Sequence, residues 1–157
     1  MDEKNAVAKK WYEKLCAVFD AGGWEYEKQE EIYKVSCKGC WEDESVDIHM
    51  HVDAQREVAV VWICPYLAIP KDMYKTMAHA VNVINDTIIF GSFDFGQARG
   101  NLLFRCTSPY KDTEVNEAWF DDLLRMSCDT VSHYMSAFRR VAKGYLSVDD
   151  LYEELRK

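Results

Sequence analysis

Apolar positions along this chain alternate between two periods, and the switches between them mark its elements. Val7, Trp11, Leu15, Val18 and Phe19 recur at the three- and four-residue steps of an amphipathic helix, and Gly22-Gly23 supplies a stop. Trp24-Glu25-Tyr26 alternates aromatic with charged residues and starts a short strand. Glu30-Glu31 interrupts it, after which Tyr33, Val35 and Cys37 share one side of a second extended run. Val46, Ile48, Met50 and Val52 then face one way while Asp47, His49, His51 and Asp53 face the other. That pattern predicts an antiparallel strand with one wet face. Residues 53–56 turn the chain into a strand that is apolar on both sides, with Val58, Val60 and Trp62 set against Ala59, Val61 and Ile63. Such a strand is either central or covered twice.

The second half begins with Pro70 and Lys71-Asp72, a suitable helix entry. Met73, Met77, Val81, Ile84 and Ile88 form one stripe on the helix that follows, and Asn85 lies beside it. The Asn85 amide is expected to hydrogen-bond backbone near the helix end and to fix the next strand. At Gly91 the period becomes two: Phe93 and Phe95 oppose Ser92 and Asp94, residues 96–100 read as a hairpin loop, and Leu102, Phe104 and Cys106 alternate on the return strand. Ser108-Pro109 breaks the sheet. Thr113 is the expected N-cap of a long helix, with Glu114 and Glu117 in its first turn. This helix should bury Phe120, Leu123, Leu124, Ser127, Val131, Tyr134, Met135, Phe138, Val141 and Ala142, and end at Gly144. Ser147-Val148-Asp149-Asp150 opens a short final helix over residues 147–156. The expectation is a single α+β domain over residues 1–157. It has an antiparallel sheet with N-terminal, middle and long C-terminal helices, in the order helix, strands, helix, two strands, helix.

Composition narrows the function classes. A chain of 157 residues, 48% hydrophobic and 13% aromatic, suits one packed core rather than disorder. No apolar run approaches the roughly 20 residues that span a bilayer, and Met1-Asp2-Glu3-Lys4-Asn5 is too charged to open a signal peptide. The expectation is a cytoplasmic protein with no membrane partner. Net charge is −8, and Arg139-Arg140 with Lys143 is a local cluster at a helix end rather than a basic stripe. Nucleic acid is therefore disfavoured. Acidity serves solubility and also suits basic or amphipathic polypeptides. The six cysteines, without an export signal, are expected to be reduced thiols, with Cys16, Cys64, Cys106 and Cys128 packing as small hydrophobes.

Candidate chemistry is sparse. Cys37-Lys38-Gly39-Cys40 reads as a two-residue turn between extended runs that sets two thiols side by side. A structural zinc site needs a second pair or spaced histidines. His49 and His51, flanked by Asp47 and Asp53, can chelate a transition ion from one strand face, yet the same row describes a solvent-facing strand. His79 and His133 read as ordinary helix residues. There is no G-x-S-x-G, no phosphate-cradling loop and no H-E-x-x-H, so no catalytic residue, metal site or cofactor is expected. Five tryptophans and nine tyrosines exceed what filling a small core demands, and amphipathic aromatics favour interfaces. The doubly apolar strand also needs a cover on its second face: a helix of the same chain, a second protomer or a partner peptide.

These residues predict a non-enzymatic protein-binding module. Its contact surface is the exposed face of Val58, Val60 and Trp62, with Met73 and Met77 at a dimer contact. The alternative is a metal- or redox-responsive protein that uses the Cys37/Cys40 pair and the His49/His51 strand.

Three segments carry a resemblance: Val81-Asn82-Val83-Ile84-Asn85, Gly91-Ser92-Phe93-Asp94-Phe95, and Gly100-Asn101-Leu102-Leu103-Phe104-Arg105. In this order the chain resembles the YbjN family, small bacterial proteins described as candidate sensory transduction regulators. The likeness extends from about Val7 to Gly144 and takes in the Trp24 region, Pro70 and the long last helix. It implies the fold of type III secretion chaperones, which are commonly dimeric, acidic, cytosolic and non-enzymatic and hold partner polypeptides on apolar patches. For this chain the resemblance implies a chaperone-like or regulatory module that acts as a homodimer holding a polypeptide. Cys37/Cys40, His49/His51 and the tail after Gly144 are not features of that family.

Overall fold

The computed structural model describes residues 3–114 and 116–157, so the charged opening at Met1-Asp2 lies outside the described residues. Helix α1 (Glu3–Ala21) is followed by strand β1 (Tyr26–Gln29), a 3-10 turn (Glu30–Ile32), and strands β2 (Lys34–Trp41), β3 (Glu44–Asp53) and β4 (Val58–Pro65). Helix α2 (Tyr74–Asn85) then leads to β5 (Ser92–Gly96) and β6 (Asn101–Pro109), the long α3 (Glu117–Ala142) and the short α4 (Val148–Leu155). This is the α+β order expected from the hydrophobic pattern.

The six strands form one antiparallel sheet in the order β1-β2-β3-β4-β6-β5, so β4 lies between β3 and β6. The helices pack on one side of it: α1 and α3 run together, α3 across β4 and β6, α1 against β3, and α2 against β5 with α4 at its back. Period-two alternation sends Val46, Ile48, Met50 and Val52 of β3 into that layer, together with Ala59, Val61 and Ile63 of β4 and Leu102, Phe104 and Cys106 of β6. Trp11 of α1 stacks on Tyr110 with centroids 4.9 Å apart and meets Trp119 and Phe120 edge-on. Aromatic abundance is thus mostly spent on packing. Trp11, Trp24, Trp41 and Trp119 all join the core, and Trp62 does not.

Local chemistry shifts three boundaries. The α2 stripe ends at Asn85 rather than continuing to Ile88, because the Asn85 side chain leaves the helix to grip the next strand. Its Nδ2 donates to the Phe93 carbonyl and its Oδ1 accepts from the Phe93 N–H, both at 2.8 Å, as the sequence led us to expect. The N-cap of α3 is Asn116, whose Oδ1 accepts from the Trp119 N–H at 2.8 Å; Thr113 lies one turn too early. Lys38-Gly39 does not turn. The strand β2 runs through to Trp41, and the turn falls at Glu42-Asp43, where Glu42 takes a left-handed φ of 51°.

That displaced hairpin tip is tied to α3. Trp41 Nε1 donates to Asp129 Oδ1 at 2.8 Å, the Ser132 hydroxyl donates to the Glu42 carboxylate, and Arg139 pairs in bidentate fashion with Glu44. Glu44 is buried, so the fork geometry of the guanidinium is what makes a carboxylate tolerable there. In the β5–β6 turn Gly100 adopts a φ of +67° against Tyr74, whose hydroxyl an added Cβ would strike. Only glycine closes the β5–β6 turn in that space.

Candidate functional site

The face of the sheet turned away from the helices is uncovered. Val58, Val60, Trp62 and Cys64 of β4 project there and take no part in the core. Beside them stand Asp47, His49, His51 and Asp53 of β3, paired across the strands as Asp47 with Cys64, His49 with Trp62, His51 with Val60 and Asp53 with Val58. Lys34, Ser36 and Lys38 of β2 continue the rows outward, and Thr107 and Arg105 of β6 complete them on the far side. The strand that the sequence marked as apolar on both sides is therefore central, and among the described residues no helix covers its second face.

Within this face the apolar groups shelter one another. The His51 ring stacks on Trp62 with centroids 6.1 Å apart and 18° between planes. Val60, opposite His51, is buried at 8% exposure although it stands outside the main core cluster. His49 Nδ1 lies 2.8 Å from Ser36 Oγ on the adjacent strand. Around this centre the rim is polar: Asp53 pairs with Arg56 at 2.7 Å, Arg105 with Asp94 at 3.4 Å, and the Tyr66 hydroxyl donates to Asp47. An apolar, aromatic centre inside a charged rim is the usual anatomy of a protein-binding patch.

Electrostatics on this face favour neutral imidazoles. Burial lowers the pKa of His49, reinforced by Lys34 and opposed by Asp47. Burial likewise lowers that of His51, with Asp53 opposing and Lys34 assisting. Cys64 is pushed above the ordinary thiol value, first by burial and then by Asp47.

The expected dimer-contact residues fall elsewhere. Met77 is 0% exposed and packs in the core beneath α2, so it is no part of a contact surface in this fold; the α2 stripe faces inward because α2 leans on β5. Met73, in the short 3-10 turn Lys71–Met73 ahead of α2, is half-buried and remote from the open face. The Cys37/Cys40 pair is also split. Three residues apart on one strand, the two side chains point to opposite faces: Cys37 is buried on the core side and Cys40 is exposed on the other. Burial pushes the Cys37 thiol up to about 11. Among the described residues no three His, Cys, Asp or Glu side chains gather as a metal ion would require. Among them, too, no helix is long and apolar enough to cross a membrane.

One exposed feature carried no signal in the sequence reading. In the loop 86–91 Ile89 is 100% exposed and Phe90 is partly so, beside a groove of about 450 Å³ lined by Ile88, Asp129, Thr130, His133 and Tyr134. Ile88 completes the i, i+4 stripe of α2 on paper, which hid the loop that follows.

Comparison of the sequence with protein-family models and with curated proteins finds no match. Solved structures do match. YbjN from E. coli, described as a candidate transcription regulator, superposes with a TM-score of 0.60 at 11% identity, over 85% of this chain and 92% of that one. A chain of the ExsC–ExsE complex gives 0.53 at 11% identity, over 90% and 97%. A chain of the HopA1–SchA chaperone–effector complex gives 0.51 at 14% identity, over 89% and 98%. The fold implied by the YbjN resemblance, that of the type III secretion chaperones, is the fold observed.

Proposed function

We propose that this chain is a non-enzymatic protein-binding module, chaperone-like or regulatory, which works in the cytoplasm as a homodimeric single domain and holds a polypeptide partner. The observation that carries this reading is the sheet face opposite the helices, where Val58, Val60 and Trp62 stand inside a polar rim with no helix among the described residues over them. Removing such apolar area from water is favourable by about 25 cal/mol per Å², and among the described residues no helix does so. The shared fold adds support, since the SchA structure is a chaperone solved with an effector. Met73, still partly accessible, is retained as a contact between copies; Met77 is not.

The test is native mass spectrometry of gently purified protein, wild type against Trp62→Asp. The expected result is a dimer, bare or with a bound polypeptide, that loses the polypeptide or the second copy in the variant. A folded Trp62→Asp protein with unchanged mass distribution would sink the assignment of this face. The metal- or redox-responsive alternative gains nothing from the structure, since Cys37 and Cys40 lie on opposite sides of the sheet.

A further inference from the structure

We infer that the open sheet face is gated by protons: it takes an apolar polypeptide segment while His49 and His51 are neutral and releases it when they are protonated. This rests on the reading of that face as the polypeptide-binding surface and adds how it is regulated. The geometry leads. His49 and His51 are the direct cross-strand partners of Trp62 and Val60, the two central apolar residues of the face, and His51 lies flat against the Trp62 indole. Any segment seated on Trp62 and Val60 must therefore also cover both imidazoles.

The groups around the two rings are of both signs, and burial outweighs those that favour a proton. At the β1 edge Glu25 and Glu27 line one pocket with His49, Asp47 and Lys38, and a hydrogen bond to the Ile32 backbone favours a proton on His51. On β2, Lys34 stands opposite His51, Ser36 is opposite His49, and Lys38 is one row further on. On β3 itself the carboxylates are Asp47 and Asp53, and both are already engaged. Asp53 accepts from the backbone N–H groups of Gln55 and Arg56 at 2.9 Å and from the Arg56 guanidinium, while Asp47 accepts from Tyr66. On β4 the neighbours are Val58, Val60, Trp62 and Cys64, and beyond them Arg105 of β6 is paired with Asp94. Among the described residues no helix packs on this side.

Both imidazoles already prefer the neutral form in the free protein, chiefly because they are half-buried. Covering them with an apolar segment removes more water and widens that preference. By linkage, a complex that binds fewer protons than the free protein weakens as pH falls. The affected window lies below the ordinary histidine value of about 6.5. Each histidine contributes up to about tenfold in affinity per pH unit through its titration.

The experiment measures binding of Nile red, an uncharged apolar dye, to the full-length protein from about pH 7.5 to about pH 5.5. Wild type is compared with the double variant His49→Gln/His51→Gln, in which glutamine keeps a polar group near Ser36 but cannot take up a proton. Trp62→Asp and the milder Trp62→Gln locate the dye, and circular dichroism verifies folding at each pH. The expected result is a wild-type affinity that falls at least about tenfold across the range, a double variant that changes less than about twofold, and weak binding in both Trp62 variants. Identical pH profiles for wild type and the double variant would overturn the gating while leaving the binding face intact. Dye binding untouched in both Trp62 variants would remove the binding face, and the gating with it.

Discussion

Strand β4 presents the same chemistry twice and meets two different fates. On one side Ala59, Val61 and Ile63 vanish into the helix layer; on the other Val58, Val60 and Trp62 find no helix at all. Hydropathy alone does not separate the two sets, which are equally apolar in sequence. What separates them is supply: among the described residues the helices serve only one face of the sheet, and a single layer cannot cover both. The companion strand β3 anticipates this by alternating, with its outer row carrying aspartates and histidines. Strand β4 does not alternate, and that mismatch between neighbours is what sets its outer row apart from that of β3.

The largest effect that sharpens the contrast is on stability. Ile63→Ala should cost about 2–5 kcal/mol, since Ile63 is wholly buried and its removal leaves a cavity. Trp62→Ala, one residue away and far larger, should cost about 1 kcal/mol or less. Urea unfolding of both variants measures the difference; equal losses would mean that both faces are covered. An intermediate effect is expected at the helix–strand joint. Asn85→Ala removes both hydrogen bonds to Phe93 and strands a buried backbone pair, for a loss of about 1–3 kcal/mol by the same measurement. Thiol labelling is the mildest test and leaves the fold untouched. At neutral pH Cys40 should react well before Cys37, Cys106 and Cys128, which are buried and pushed up to about 11, 11 and 12. Equal labelling of Cys37 and Cys40 would place them on the same side of the strand.

Much of this was legible from periodicity. The stripe of α1, the alternation of β3, the double-sided β4 and the inward row of α3 were each readable, because period 3.6 and period 2 survive in any sequence that buries one face. The Asn85 contact was readable too, since an amide beside a helix end has few other uses. The errors share a different origin. Thr113 and Asn116 are both competent caps, and only the packing of Trp119 beside Trp11 chooses between them. The turn at Glu42-Asp43 is selected by contacts with α3, almost ninety residues later, which no local rule contains. Met77 was placed outside because an apolar stripe shows that a helix has a dry side, not which neighbour dries it. The open face itself was visible only as a question about its cover, and answering it required knowing where every helix lies.

The clasp at that hairpin tip bears on how the molecule is made. Its three contacts join residues 88, 90 and 95 positions apart in the chain. Strands β2 and β3 therefore leave the ribosome long before their partners on α3 exist. Until Arg139 emerges, Glu44 has no partner on α3 and the inner row of β3 has only α1 over it, and β4 cannot gain its second neighbour before β6 is made. For most of synthesis only α1 is at hand to cover the inner face, and the arrival of α3 is the event that completes its burial while the outer row of β4 stays without a helix among the described residues.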